Sequence, residues 1–377
     1  LNTMRSRAGA VLPNSTVNLG TDTTPEGRMI TKNYLLALER GIGKEEKPLY
    51  PITIFKVKEG INYNKNDPNY DLLKLACKVD SEKQLIEFSF LDAEFNKKGY
   101  IASDKDSEIA YMGNSIRVYE NVVDKSKPTS IGRGNLSTVT INLPRLGLRF
   151  GKIRNETTDL KAFFEELDNK MEKAKEILLD RYEFQTDKRV YNFPFLVGQG
   201  NWLDSEKLKP ADRLRRINKH GTLSIGFVGL AECLTALEGK HHGESQGSQE
   251  IGLEIVRHMR EKVDEFTEKN NLNFVLYETH EKQVIEYFTS IDKSIYGKYK
   301  GITDKEEYTI GFALPEDYNI GTEDQIALES EYHKLTNGGH MTTVELSSKN
   351  QGKFESFEKV VKQMKDMGIG LGRIIIK

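Results

Sequence analysis

The hydrophobic residues of this chain fall into short β-rich runs that are separated by longer stretches with helical spacing. Short apolar runs without strict alternation of polar and apolar residues are typical of strands that are buried on both faces. The predicted strands cover residues 52–57, 85–91, 115–118, 139–143, 274–277, 341–346 and 373–376. Strands that take turns with helices along the chain predict an α/β fold with a largely buried sheet.

The helical stretches are recognised by apolar residues that recur at three- and four-residue steps. The clearest covers residues 158–181 and has one apolar face. Three further helices are predicted over residues 222–237, 250–269 and 354–367. The polar, glycine-bearing stretch 240–248, which contains His241 and His242, is predicted to be a solvated loop between two helices.

Composition narrows the class of protein further. With 37% hydrophobic residues and no unbroken apolar run of about 18 residues, the chain is predicted to have a substantial core and no membrane span. The formal net charge of −2 shows no excess of basic residues of the kind that binds nucleic acid or anionic lipid. A nucleotide partner is therefore expected to be a small molecule. The start of the sequence shows no secretion signal, and a reducing cytoplasm is predicted.

The two cysteines, Cys77 and Cys233, are too few for a disulfide scaffold or a four-thiolate zinc site. Both are predicted to be inert, buried core residues. Adjacent histidines on one loop do not converge on a single ion, so no metal site is predicted. Because neither an internal repeat nor a long linker divides the chain, residues 1–377 are predicted to form one unit.

The most informative stretch is Met112-Gly113-Asn114-Ser115-Ile116-Arg117-Val118, followed by Gly132-Arg133-Gly134-Asn135-Leu136-Ser137. Together they resemble the finger loop of the anaerobic (class III) ribonucleoside-triphosphate reductases, which are glycyl radical enzymes. That family usually has Met-Gly-Cys-Arg-Thr-Arg-Val, then Gly-Arg-Gly-Asn-Leu-Ser-Phe. Further family-like blocks occur in the same order at residues 5–10, 20–23, 25–28, 54–60, 67–72, 88–93 and 141–146. Ordered blocks over so much of the chain make coincidence a poor explanation.

The resemblance implies a fold, namely part of a ten-stranded α/β barrel that is built of two parallel half-sheets. A finger loop at about 105–120 would thread its centre, and a phosphate-binding helix would lie at about 220–238. The family's N-terminal segment and its C-terminal glycyl-radical domain lie outside this sequence, which we interpret as a truncation, a processed fragment or one piece of a split gene. Because an incomplete closed sheet exposes strand edges, a homodimer, a complementary reductase chain or a local rearrangement is expected.

The family's chemistry depends on the residue at position 114. Its reaction begins when a cysteine thiyl radical at the finger tip removes the 3′ hydrogen of the ribose, and here Asn114 occupies the position of that cysteine. A carboxamide has no weak S–H bond and forms no thiolate, so turnover is expected to be abolished. From the residues alone, Asn114 is also interpreted as a turn residue, because asparagine tolerates unusual backbone angles.

Other candidate site residues follow from the same resemblance. Met112 matches the methionine two residues before the radical cysteine. Asn135 matches the asparagine that, in formate-dependent members, helps to hold formate or the ribose, although its side chain could instead satisfy loop backbone. Ser15 and Thr16 fall where the family brings a Ser-Ser pair near the substrate, but their neighbours differ from the family pattern.

A phosphate site is predicted at His220-Gly221-Thr222-Leu223-Ser224-Ile225-Gly226, a block that matches the family closely. If this block opens a helix, free backbone N–H groups and the helix dipole would hold the phosphates, and Thr222, Leu223 and Ser224 are the candidate ligands. The segment 277–282 departs from the family's Ala-Thr-Pro-Ala-Glu-like turn. Its Glu278 and Glu281 are expected to repel a triphosphate at close range.

No cofactor or metal is assigned to the chain itself. The resemblance implies a glycyl radical that a radical-SAM activase installs, a formate or thiol reductant, and structural zinc in the missing tail. The partners implied are a nucleoside triphosphate and, for an intact enzyme, the activase.

Two functions remain open. The first is the core of an anaerobic ribonucleoside-triphosphate reductase, inactive as given, for which Met112, Asn135 and the 220–226 block argue. The second is a catalytically dead homologue that binds nucleotide or a partner protein, for which Asn114 and the altered 277–282 segment argue. The sequence therefore indicates ancestry and leaves enzymatic activity undecided.

Overall fold

The computed structural model describes residue 2 and residues 15–118 and 120–377, so the family-like block at 5–10 lies outside the described residues. The strands are β1 (Thr16–Leu19), β2 (Ile52–Val57), β3 (Ile86–Phe90), β4 (Ala110–Tyr111), β5 (Arg117–Val118), β6 (Asn135–Asn142), β7 (Thr222–Val228), β8 (Asn273–Glu278), β9 (Thr342–Leu346) and β10 (Leu371–Ile376). The helices are α1 (Pro25–Arg40), α2 (Tyr70–Lys83), α3 (Glu94–Lys97), α4 (Leu143–Phe150), α5 (Leu160–Thr186), α6 (Arg215–Asn218), α7 (Leu230–Glu238), α8 (Gln246–Asn270), α9 (Lys282–Tyr296), α10 (Thr322–His333) and α11 (Phe354–Asp366).

Five strands form one half of the barrel wall, in the order β1-β2-β3-β10-β9. Strands β1, β2 and β3 are parallel to one another, whereas β10 runs antiparallel to β3 and parallel to β9. On the helix side of this sheet, Phe55 and Phe88 share a buried core with Phe357 of α11. Burial of such large apolar side chains is the main force that holds helices on a sheet.

Three parallel strands, in the order β6-β7-β8, form the other half of the wall. Every residue of the central strand β7 is buried. Its alternate residues Leu223, Ile225 and Phe227 enter a core with Phe163 of α5 and Met259 of α8. Among the residues that the structure describes, no helix is long and apolar enough to cross a membrane.

The hairpin β4-β5 lies between the two half-sheets and contacts both of them. Tyr111 of β4 packs with Ile54 of β2 and Leu371 of β10. On the other side, the Arg117 N–H donates to the Gly338 carbonyl at 2.9 Å, next to a parallel bridge between the neighbouring Gly339 and β8. The expected partial α/β barrel with a central finger loop is therefore confirmed.

The predicted helix over 222–237 is wrong in its first half. Residues Thr222–Val228 form strand β7, and α7 begins only after Gly229, whose φ is 73°. A continuous apolar run does not by itself distinguish a buried strand from a buried helix, and the branched and aromatic residues of this run favour the strand. The 220–226 block therefore has no helix N-terminus with which to hold phosphate.

The prediction that the 240–248 loop is solvated is wrong for its histidines. His241 and His242 are both buried. His242 Nε2 lies 2.8 Å from the Phe312 carbonyl oxygen, and the His241 ring packs edge-on against Tyr318. Aromatic partners that are distant in sequence bury these polar side chains, and nothing in the loop's own composition indicates them.

Candidate active site

The tip of the finger hairpin is a tight turn at Asn114 and Ser115. Their φ angles are 59° and 55°, and the Met112 N–H closes the turn on the Ile116 carbonyl at 2.7 Å. Two successive residues with positive φ are typical of a type I′ hairpin turn, in which asparagine is favoured. The interpretation of Asn114 as a turn residue is therefore confirmed. Its side chain is exposed and makes no hydrogen bond with any residue that the structure describes.

Strand β1 anchors one side of the tip. The Thr16 hydroxyl accepts a hydrogen bond from the Gly113 N–H at 2.8 Å. Asn18 binds the backbone of Tyr111 on both sides, as a donor to its carbonyl at 2.8 Å and as an acceptor from its N–H at 3.3 Å. The structure thus places the sequence-predicted Thr16 directly beside the tip, and the neighbouring Ser15 has a buried hydroxyl without a hydrogen-bond partner among the described residues.

Strand β8 and the segment beside it anchor the other side. The Tyr277 hydroxyl donates to the Asn114 carbonyl at 2.7 Å. Gly339 passes so close to the tip that an added Cβ would lie 1.8 Å from the Ser115 carbonyl oxygen. Gly339 therefore makes room for the finger.

Replacing Gly339 with alanine is expected to push the finger tip away from β8. The φ of this residue is 117°, so the substitution adds a collision to an unfavourable backbone conformation. We expect Gly339→Ala to lower the free energy of unfolding by about 1–3 kcal/mol more than Gly352→Ala does. Gly352 is the matched control, because its φ is 72° and an added Cβ would meet nothing within 4 Å. Equal losses in urea titrations of the two variants would contradict this account of the tip.

A buried charge network lies directly under the tip, on Glu278 at the end of β8. Glu278 Oε1 accepts hydrogen bonds from the Ser115 hydroxyl at 2.6 Å and from the Met341 N–H at 2.8 Å. The same carboxylate contacts His280 Nε2 and His340 Nδ1. Both the Glu278 and the His340 side chains are fully buried. Glu278 is therefore enclosed by partners, and the expected repulsion of a triphosphate by its free charge loses its basis.

The protonation states follow from this enclosure. Burial acts to raise the pKa of Glu278, but the adjacent His280 and His340 outweigh it and hold that pKa well below its usual range. Burial acts to lower the pKa of His280, but Glu278 outweighs it and the pKa is raised. For His340 burial dominates, and the pKa is lowered. Near neutral pH the network therefore favours an ionised Glu278, a protonated His280 and a neutral His340.

Ser115, His280 and Glu278 do not form a hydrolase triad. In such a triad the histidine binds the serine through one ring nitrogen and the acid through the other. Here the Ser115 hydroxyl, at 3.0 Å, and the Glu278 carboxylate both approach the same His280 Nε2. Ser115 is also buried. The arrangement fixes the hairpin tip and does not prepare a nucleophile.

A second group of predicted site residues assembles where β6 and β7 begin. Asn135 Oδ1 accepts from the Ser224 hydroxyl at 2.8 Å and from the Thr222 hydroxyl at 3.4 Å, and Asn135 Nδ2 donates to the Thr138 hydroxyl at 2.9 Å. The Asn135 side chain thus binds side-chain hydroxyls rather than loop backbone. Leu223, which lies between its two polar neighbours, is buried in the helix-facing core, where it does not reach a ligand in the barrel.

Met112 lies between the two groups. A Cβ added to Gly134, next to Asn135, would lie 3.6 Å from the Met112 sulfur. The Met112 side chain is 39% exposed, so the sulfur also borders open space. The structure therefore brings Met112, Asn114 and Thr16 together at the tip, with Asn135, Thr222 and Ser224 behind them.

Neither thiol of the chain is part of this site. Cys77 lies in α2 and Cys233 in α7, and both are fully buried. Burial raises the pKa of each thiol well above its usual value. Both belong to cores between a sheet and its covering helices, so the barrel interior has no cysteine side chain.

Comparison with known proteins identifies the family of this chain. Residues 1–375 match the sequence profile of a family described as anaerobic ribonucleoside-triphosphate reductase. This chain therefore belongs to that reductase family. The anaerobic ribonucleoside-triphosphate reductase of Haemophilus influenzae is 29% identical over 343 residues, which cover 90% of this chain and 46% of that protein. The reductase of phage T4 is 31% identical over 353 residues, 92% of this chain and 54% of that protein. The chain thus spans about half the length of these relatives.

Solved structures show the same fold. The anaerobic ribonucleotide reductase of Thermotoga maritima with citrate in the active site has a TM-score of 0.66 at 15% identity, covering 96% of this chain and 61% of that one. The same enzyme with dATP and CTP has a TM-score of 0.62 at 13% identity, covering 96% and 57%. A glycyl radical enzyme of Archaeoglobus fulgidus has a TM-score of 0.57 at 15% identity, covering 97% and 51%. At these identities the likeness concerns the fold alone.

Within the reductase family, the departures of this chain from the family pattern lie in contact with each other. One set is on the finger, where Asn114 and Ser115 replace the usual cysteine and arginine. The other set is the segment 277–282, which contains Glu278 and His280. Because the Ser115 hydroxyl binds both of those side chains, the altered tip and the altered segment form one unit. Sequence reasoning noted each departure separately, and no local signal showed that they meet.

No metal site is found in the reductase barrel as far as the structure describes it. Residue 2 and residues 15–118 and 120–377 contain no group of three or more histidine, cysteine, aspartate or glutamate side chains that could hold an ion. The family's structural zinc requires four cysteines, and this chain has two, both of them buried singly. The residues present do not fit that zinc.

Proposed function

We propose that this chain is the barrel core of an anaerobic ribonucleoside-triphosphate reductase that binds a ribonucleoside triphosphate but does not itself abstract hydrogen from it. The observation that carries the proposal is the carboxamide of Asn114 at the exposed tip of the central hairpin. In the family's chemistry the thiyl radical forms at this position. The barrel interior of this chain has no thiol, because Cys77 and Cys233 lie in the cores between sheet and helices. Met112, Asn135, Thr222 and Ser224, which match the family pattern, lie near this tip.

The inner face of the β6-β7-β8 sheet supports nucleotide binding. Thr138 and Thr140 of β6 lie beside Ser224 and Gly226 of β7 in the parallel register. The Thr138 and Thr140 hydroxyls are partly buried, and the buried Ser224 hydroxyl binds Asn135, so this face has several donors and acceptors for a sugar and its phosphates. The Thermotoga maritima enzyme has been solved with dATP and CTP bound, and we extend nucleotide binding from that protein to this one.

Asn135 is the residue on which this binding is expected to depend most. Its carboxamide organises Thr138, Thr222 and Ser224, so Asn135→Ala removes a ligand contact and frees three hydroxyls at once. We expect the affinity for ribonucleoside triphosphates, measured by calorimetry, to fall by about tenfold or more. The control is Asn33→Ala, on the exposed face of α1, which should leave the affinity unchanged. A variant that binds as tightly as the unmodified chain would remove Asn135 from the site.

The second candidate function is a partner-binding homologue that has lost nucleotide binding as well. An exposed apolar stretch after α5 favours it, since Tyr191, Phe193 and Phe195 are all exposed. Exposed aromatic patches of this kind mark protein interfaces, and a homodimer or a complementary reductase chain would cover one. Absence of any calorimetric heat with four ribonucleoside triphosphates, together with a stable dimer in light scattering, would favour this candidate over the first.

A further inference from the structure

A small cavity of about 250 Å³ lies between the finger tip and the beginnings of β2 and β3. Six polar side chains line it. Thr53 already bonds to the Tyr34 hydroxyl, and Gln84 accepts from the Ile376 N–H. The others are Glu87 of β3, Asn114 of the finger, His280 after β8 and Arg373 of β10. The rest of its wall is mostly apolar and includes Leu38, Leu49, Ile52 and Leu85. One wall is therefore suited to a charged or hydrogen-bonding group and the other to a short hydrocarbon.

Glu87 and Arg373 stand directly opposite each other in the β3-β10 pair, yet they form no ion pair. Glu87 Oε2 is buried and has no hydrogen-bond partner among the residues that the structure describes. Burial raises the pKa of Glu87 to about 7, although Arg373 and His280 act to lower it and Glu278 acts to raise it further. Arg373 is exposed, and its guanidinium makes no hydrogen bond or ion pair with any described residue. Glu87 and Arg373 are neighbours across the strand pair but do not bind each other. Their free groups therefore indicate that a ligand can bind between them.

The other two polar side chains have free groups as well. The Asn114 carboxamide has no hydrogen bond with a described residue, and His280 uses Nε2 for Ser115 and Glu278 and leaves Nδ1 without a partner in the described chain. The free donors are thus those of Arg373, the amide of Asn114 and, when protonated, His280. The free acceptors are the Glu87 carboxyl and the Asn114 oxygen. Excess donors suit an anion, and the acceptors suit a hydroxyl next to it.

We propose that this cavity binds a small 2-hydroxycarboxylate with a short aliphatic tail. Its planar carboxylate would pair with the forked guanidinium of Arg373, which matches carboxylate geometry. Its hydroxyl would donate to Glu87, and its tail would lie against Ile52 and Leu85. A phosphate dianion fits less well, because it has no apolar part for the aliphatic wall and its two charges would meet the Glu87 carboxyl at close range. The site is separate from the hydroxyl-lined face at Asn135 and does not depend on nucleotide binding.

The test is ligand-observed NMR with the unmodified chain, using lactate, 2-hydroxyisovalerate, propionate and inorganic phosphate as probes. We expect 2-hydroxyisovalerate to bind more tightly than lactate, by about fourfold for each added carbon that is buried. Propionate, which lacks the hydroxyl, should bind more weakly than lactate, and phosphate more weakly still. Tightest binding of phosphate, or no binding of either hydroxy acid, would overturn the proposal.

Three variants locate the site. Arg373→Gln should weaken 2-hydroxyisovalerate binding by about tenfold or more. Arg257→Gln, which changes an exposed arginine of α8 outside the cavity, should leave binding unchanged. Glu87→Gln keeps the side-chain volume and removes its ionisation, so it should retain binding. If Arg373→Gln binds like the unmodified chain, the cavity is not the site.

The pH dependence provides a readout that does not require the arginine variant to fold. As the pH rises through about 7, Glu87 ionises beside the bound carboxylate, so affinity should fall between about pH 6 and about pH 8. In Glu87→Gln this fall should disappear, and affinity should decrease only at the higher pH at which His280, whose pKa is raised, loses its proton. An affinity that rises with pH, or an identical fall in Glu87→Gln, would contradict the assignment of Glu87. Failure of nucleotide binding at Asn135 would leave these results unaffected.

Discussion

The Asn114→Cys variant is expected to gain one reactive thiol, whereas the unmodified chain has none. Asn114 is exposed at the hairpin tip, while Cys77 and Cys233 are fully buried and burial raises their thiol pKa values. Because only a thiolate reacts quickly with iodoacetamide, native alkylation followed by mass measurement should show one adduct on the variant and none on the unmodified chain. Asn33→Cys, on the exposed face of α1, is the control for simple surface reactivity.

The same variant tests whether only the thiol has been lost. A glycyl-radical chain from an active relative, activated by its radical-SAM enzyme, would supply the glycyl radical, and formate or a thiol would supply the reductant. Under these conditions Asn114→Cys is expected to form deoxynucleotide from a background of zero. An alkylated but inactive variant would show that the altered 277–282 segment, and not Asn114 alone, prevents turnover.

The largest loss of stability is expected for Glu278→Ala. Its carboxylate is fully buried and binds the Ser115 hydroxyl, the Met341 N–H and the His280 ring. Removal of this carboxylate leaves the buried charge of His280 without its partner, so the free energy of unfolding should fall by about 3–5 kcal/mol. Urea denaturation followed by tryptophan fluorescence and by circular dichroism measures the loss.

The pH dependence of this effect has a fixed sign. The pKa of Glu278 is lowered in the fold, so its contribution is fully present above the unfolded value and is lost only in acid, as the pH falls through the lowered value. The pKa of His280 is raised, so its contribution is present in acid and is lost as the pH rises through the raised value. Glu278→Ala should therefore cost most at mildly acidic to neutral pH. Glu165→Ala removes an exposed ion pair with Lys161 on α5 and should lower the free energy of unfolding by about 0.5 kcal/mol or less. A loss of that same size for Glu278→Ala would mean that the network does not hold the tip.

The fold was predictable from the sequence wherever apolar spacing or a family motif dominates. The apolar face predicted over 158–181 is the buried face of α5, and the strands predicted at 52–57 and 373–376 are β2 and the greater part of β10. No helix was predicted at α1, α2 or α9. The pattern misassigned β7, because a continuous apolar run has no periodicity that separates a fully buried strand from a buried helix.

The candidate site was predictable only as far as motifs extend. The finger motif located Asn114 and Met112, and the structure confirms the turn at the tip. The contacts of that tip come from residues that are distant in sequence, and the Ser115 to Glu278 bond spans 163 positions. Glu278 was noticed in the sequence only as an added negative charge. Its enclosure by His280 and His340 depends on chain segments that meet only in the folded barrel, and Glu87 and Arg373 had no sequence signal at all.

The most direct test of the central claim is the fate of a ribonucleoside triphosphate bound to the unmodified chain. The chain is incubated without oxygen with radiolabelled CTP, an activated glycyl-radical chain whose own finger-loop cysteine has been replaced, and formate. We expect calorimetric binding of CTP and complete recovery of the label as ribonucleotide, because the finger tip has a carboxamide where hydrogen abstraction requires a thiyl radical. Formation of labelled dCTP under these conditions would contradict the account.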